Sequence, residues 1–119
     1  MADYAIAFVE TKIFTARIVA LRIDNALRGL QLDLIRNPEA GNLDPDTGGL
    51  RKVRMADPGR GKGKRGGARV HYLWLPGVSV VYLIYVYGKG ERSTLSPAQK
   101  RQLRTVVQAI KAEWRKRGP

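Results

Sequence analysis

The chain of 119 residues contains no cysteine, so it has neither disulfides nor thiolate metal sites. It has one histidine, His71. A nuclease mechanism that divides acid and base between two histidines of one chain is therefore excluded, and nothing converges on a Ser–His–Asp arrangement. Long apolar runs are also missing. The longest, VVYLIYVY at residues 80–87, falls far short of the roughly 20 residues that span a bilayer. The N-terminal MADYAIAFVETK has no basic segment ahead of its short apolar run, unlike a secretory signal. The expectation is a soluble, cytoplasmic protein with no membrane partner.

Acidic residues are scarce where basic ones are dense. Residues 51–119 hold 17 Lys/Arg but only Asp57, Glu91 and Glu113 as acids, whereas residues 1–50 hold five bases and seven acids. Paired-carboxylate and two-metal chemistry are poorly served by that half. Asp44 and Asp46 in NLDPDTGG (42–49) lack the later ligands and closing Glu of a calcium loop, so the segment reads as a turn and no metal is expected. The formal charge of +12 favours a polyanionic partner. The plain alternative is a charged, solvated surface.

A hydrophobic content of 44% suits one globular domain spanning residues 1–119. YAIAFV (4–9) reads as a strand. Thr11 caps a helix to about Arg22, with Phe14, Ile18 and Leu21 on one stripe. Asp24 suits a second N-cap, with Leu27, Leu30, Leu34 and Ile35 following, and Pro38 ends that helix at Asn37. Three strands come next: LRKVRM (50–55), ARVHYLWL (68–75) and SVVYLIYVY (79–87). The third is apolar on both faces, as expected of a central strand covered on both sides. Ser96 as N-cap and Pro97 at the first position open a last helix. Its stripe is Leu103, Val106, Val107, Ile110 and Trp114, opposite Lys100, Arg101, Arg104, Lys111 and Arg115. The order β-α-α-β-β-β-α predicts an α+β fold with an antiparallel meander.

The stretch GRGKGKRGGAR (59–69) matches G-x-G-x-x-G within it, but a strand rather than a helix follows, so it is no dinucleotide fingerprint. It also lacks the Ser/Thr after Gly-Lys of a phosphate-binding P-loop. It reads as a basic loop between paired strands, with Lys62, Lys64 and Arg65 suited to sequence-blind phosphate contact. Lys52 and Arg54 precede it; Arg69 and His71 follow. If the two strands pair in register, these four share one face and call for an anion or water. A lone histidine on a strand is more often structural, and His71 joins the RNA-contacting set only if it faces the same site. YVYGKGERS (85–93) adds Lys89 and Arg92 where the chain turns.

Together, GGLRKVRM, GKGKRGGARVHYLW, VYLIYVYGKGERSTLSP and the last helix resemble the RelE-type toxins of bacterial type II toxin–antitoxin systems, closest to the HigB-like branch of the RelE/ParE superfamily. The resemblance covers roughly residues 5–112. It implies a small antiparallel sheet with helices packed on one side, the RelE-like microbial RNase fold. It implies an endoribonuclease that cleaves messenger RNA in the ribosomal A site and inhibits translation, with no cofactor. It also implies a cognate antitoxin of helix-turn-helix, HigA-like type. Carried over position by position, Lys52, Arg54, Arg69, Lys89 and Arg92 form the catalytic set. Gly90 and Ser96 depart from RelE's second arginine and C-terminal tyrosine, which leaves the general base unassigned.

The chemistry asks for such residues. The RNA 2′-OH attacks the adjacent phosphate, giving a 2′,3′-cyclic phosphate and a 5′-OH. The protein must orient the strand, stabilise phosphorane charge and move protons. Arginines suit the phosphate through forked hydrogen bonds; Lys52 or Lys89 suits proton transfer. Two other readings stand beside it: a ParE-like toxin that poisons DNA gyrase, and a basic nucleic-acid-binding module without activity.

Overall fold

The computed structural model describes residues 5–56, 67–88, 90–92 and 94–118. Lys62, Lys64, Arg65 and Lys89 lie outside the described residues, as does the start of the first expected strand.

Strand β1 (Ala7–Glu10) runs into helix α1 (Lys12–Leu21). Thr11 makes the junction with one hydroxyl. It accepts from the Phe14 N–H at 3.1 Å as the N-cap and donates to the Ile84 carbonyl at 2.8 Å, tying the helix start to the sheet. Phe14 and Ile18, one turn apart, are buried. Asp24 does not cap the next helix as expected. It opens a single 3-10 turn, Asp24–Ala26, without a side-chain cap, and α2 (Leu27–Arg36) follows. Asn37 stops α2 in an extended conformation, as a residue before proline must.

Strand β2 (Asn42–Leu43) is too short to show alternation in sequence and falls within the expected turn. Strands β3 (Arg51–Met55), β4 (Ala68–Leu75) and β5 (Val80–Gly88) follow the predicted spans closely. Helix α3 (Pro97–Arg117) has the predicted Ser96 cap, completed by Gln99 into a capping box.

The fold is α+β, built on a five-stranded sheet of order β1-β5-β4-β3-β2. β3, β4 and β5 form the predicted meander, but the sheet is mixed rather than antiparallel because β1 pairs with β5 in parallel. The two helices carry the chain from β1 to β2 on the opposite edge, and three antiparallel steps back across the sheet bring β5 beside β1 in the same direction. The helices also occupy both faces, not one. Phe14, Ile18, Leu30 and Leu34 pack with Met55, Val70, Tyr72 and Leu83. Leu103 and Val107 of α3 pack with Leu50, Leu73, Ile84 and Tyr87. The second layer forms because β5 is apolar on both sides and α3 carries its own apolar stripe. Full burial of each such side chain contributes about 1.5–3 kcal/mol. Between Leu83 and Tyr85 the register with β4 shifts, leaving Ile84 as the bulged residue. Ile84 and Tyr85 thereby both pack with the α3 cluster.

Candidate functional site

The β3–β4 register sets the geometry. Lys52 stands opposite His71, and Arg54 opposite Arg69. Side chains alternate along a strand, so all four share the face of Leu50 and Leu73, the α3 face. The row continues into β5, where Tyr87 lies beside Arg69 and Tyr85 beside His71. Arg54 is exposed, while Lys52 and Arg69 are half-buried. Directly opposed residues lie about 4.5–5.5 Å apart at Cβ, and like charges there repel. Arg69 also directs Nη1 at the Gly67 and Ala68 carbonyls, at 3.4 and 3.5 Å.

Arg92 joins this corner from the turn after β5. The Tyr87 hydroxyl has its pKa raised by burial, against the opposing pull of the Arg69 and Arg92 charges, so both arginines lie within electrostatic reach of one ring. The turn is held from two sides. Glu91 accepts from Arg17 of α1 and from the Gly88 N–H at 2.8 Å. The Arg17 bond, together with that of Gly88, holds the Glu91 carboxyl below its ordinary pKa. Arg17 also donates to the Val86 carbonyl and lies over the Tyr85 ring, 5.2 Å from its centroid. On the other side, Arg92 donates to Oε1 of Gln99, the same atom that accepts the Ser96 N–H at 2.9 Å in the helix cap.

Behind the cations sits a carboxylate. Asp44 Oδ2 is 2.7 Å from His71 Nε2 and its Oδ1 is 3.1 Å from Lys100 Nζ, with only 7% of the Asp44 side chain exposed. Burial pushes the Asp44 carboxyl up, but the bonds from His71 and Lys100 outweigh it, and the net shift is downward. His71 is fully buried and stacks on Tyr87 at 5.9 Å between centroids. Burial holds its pKa below the ordinary value despite the Asp44 bond, and the Lys52 and Lys100 charges add to that. Its Nδ1 has no partner among the described residues. A neutral ring with Nε2–H donating to Asp44 leaves only a bare lone pair there, whereas protonation would bury an unpaired N–H donor.

The segment bearing Asp44 is itself fixed. Thr47 donates to the Asp44 carbonyl at 2.7 Å and accepts the Leu50 N–H at 3.1 Å. Arg104 and Lys111 of α3 donate to the carbonyls of Asp46 and Gly48, each at 2.9 Å.

The register thus places Lys52, Arg54 and Arg69 on one face, with Arg92 within electrostatic reach of the Tyr87 ring beside Arg69. His71, expected among the RNA contacts, presents no surface to a ligand; it is a support beneath the face, because its ring fills the core between β4 and α3. Sequence reading misses Asp44, Gln99 and Arg17. Asp44 looks like turn chemistry, and its partners lie 27 and 56 positions away. For Gln99 a signal existed: Ser96-x-x-Gln99 is a capping box. No protein-family model matches the chain.

Proposed function

We propose that this protein is a metal-independent endoribonuclease acting as the toxin of a type II toxin–antitoxin pair, cleaving messenger RNA on the ribosome in the cytoplasm. The observation that carries the reading is the opposition of Arg54, which is exposed, and Arg69, which is half-buried, with Lys52 two residues along the same face of β3 and Arg92 within electrostatic reach of Tyr87. In this reading the two guanidiniums hold the scissile phosphate through forked bonds. The 2′-oxygen loses its proton to a lysine, attacks phosphorus in line, and the 5′-oxygen leaves with a proton. Arg92 counters the charge that builds on the phosphorane. Lys52 is a candidate for the proton steps; Lys89 belongs to the same proposal by sequence. Lys62, Lys64 and Arg65 extend the contact to neighbouring phosphates, and a helix-turn-helix antitoxin is the expected neutralising partner.

Inducible expression in a bacterial host with transcript-end mapping tests this. Growth arrest with new breaks within translated messages is the expected result, relieved by Arg69→Ala. Arrest with gyrase-linked DNA breaks and intact messages would instead indicate a ParE-like poison. RNA binding with neither outcome would indicate a binding module, a reading the burial of His71 favours because it removes one exposed proton carrier.

A further inference from the structure

At the start of α3 lies a groove of about 450 Å³, bounded by Pro97, Lys100, Arg101 and Arg104 of the helix, by Asp46, and by Thr94 and Leu95 ahead of the helix. We propose that it is a second phosphate subsite, taking a flanking nucleotide of the same RNA strand; this rests on the reading of the arginine corner as the RNA site.

The groove is of nucleotide size, since small-ligand sites begin at about 300 Å³. Its cations are not equivalent. Lys100 is paired with Asp44 and shares its charge. Arg104 spends one donor on the Asp46 carbonyl, which fixes its guanidinium and leaves the remaining donors available. Arg101 is exposed, and its side chain has no partner among the described residues. The Asp46 carboxylate on the rim opposes an anion, but Arg101 and Arg104 outweigh it. Thr94 offers a hydroxyl at the rim, and Pro97 an exposed apolar ring against a ribose or base. Beneath the surface, a chain of contacts runs from the groove toward the corner. Lys100 bonds Asp44, Asp44 bonds His71, and His71 stands opposite Lys52. A polyanion held at Arg54 and Arg69 and extending toward α3 meets the exposed Arg101 and an Arg104 already anchored on the Asp46 carbonyl. An arginine held by a backbone carbonyl loses little further freedom on contact.

The test is binding of fully 2′-O-methylated oligoribonucleotides, which cannot be cleaved, as a function of length and salt. For an octanucleotide, Arg101→Ala is expected to lower affinity several-fold. It should also reduce the slope of log affinity against log salt by about 0.7, the contribution of one single-strand phosphate contact. The loss for a dinucleotide is expected to be much smaller. Arg101→Glu deepens the octanucleotide loss, with the far-ultraviolet circular dichroism of the fold retained. If Arg69→Ala weakens the octanucleotide while Arg101→Ala changes neither affinity nor slope, the subsite is wrong and the corner stands. If neither variant matters, the underlying RNA reading falls with it. An acidic peptide that competes as well as the octanucleotide would also overturn the assignment, since it would make the groove a protein-docking surface.

Discussion

Arg54 and Arg69 face one another across adjacent antiparallel strands, on the sheet face that α3 covers only in part. Two like charges so placed repel one another, and on the proposed reading a bound phosphate would counter both. Arg54→Glu should therefore raise stability, by about 0.5 kcal/mol, by turning repulsion into attraction. The same change should lower RNA affinity at least about tenfold, the scale of a charge-assisted hydrogen bond. Thermal melts and oligonucleotide titration of one variant measure both. A variant that is less stable and binds RNA as before would contradict the opposition of charge on this face.

Asp44 and His71 make stability depend on pH with one sign. The folded pKa of His71 lies below its ordinary 6.5, so the unfolded chain binds more protons as pH falls through that value. The folded Asp44 carboxyl likewise lies below 3.8 and adds its loss at lower pH. Stability is thus fullest above about pH 6.5, declining on acidification, first through His71 and then through Asp44. Asp44→Ala leaves a buried ring N–H without a partner, at a cost of about 2 kcal/mol. Urea midpoints at pH 7.5 and 5.5 check the slope; a midpoint that rises at pH 5.5 would refute a neutral buried ring.

Gln99 serves the α3 cap and Arg92 with one oxygen, and the two roles separate by mutation. Ser96→Ala removes the cap hydroxyl, costing about 1 kcal/mol, and leaves the Arg92 contact. Gln99→Ala removes both. The expected pattern is similar destabilisation in the two variants with slower RNA cleavage only for Gln99→Ala. Gln99→Glu should restore the rate, because a glutamate oxygen also accepts from Arg92, and it keeps the capping box as well. Equal slowing by Ser96→Ala would show that helix capping alone is at stake.

Gly67 enters β4 where the backbone of β3 is in contact. A Cβ there would lie 1.9 Å from the Met55 carbonyl oxygen, while one at Gly90 would meet nothing within 4 Å. Gly67→Ala must displace the strand end that carries Arg69, with an expected loss on the order of 2–3 kcal/mol. Gly90→Ala should be close to neutral. Urea unfolding of the two variants is the comparison, and equal midpoints would contradict the close approach.

The strands and both capped helix starts, at Thr11 and Ser96, were legible because alternation, stripe and cap are local signals. So was the shared face of Lys52, Arg54, Arg69 and His71, which needs only strand parity and one register. The parallel partner of β1 was not, because pairing between residues 7–10 and 80–83 leaves no trace in either segment alone. Nor was the two-sided placement of helices, although the apolar character of both faces of β5 pointed to it. Asp44 was hidden for the same reason as β1: its meaning lies in His71 and Lys100, which only the folded chain brings to it.

The most direct measurement is the chemistry of the RNA ends. Translating ribosomes carrying a defined message are incubated with the protein and the fragments analysed by mass spectrometry, with a parallel naked RNA incubation in EDTA. The account predicts 2′,3′-cyclic phosphate and 5′-hydroxyl ends from the wild-type protein, with loss of these products in Arg69→Ala that retains its fold. Intact RNA in both incubations, or the same products in undiminished yield from Arg69→Ala, would contradict it.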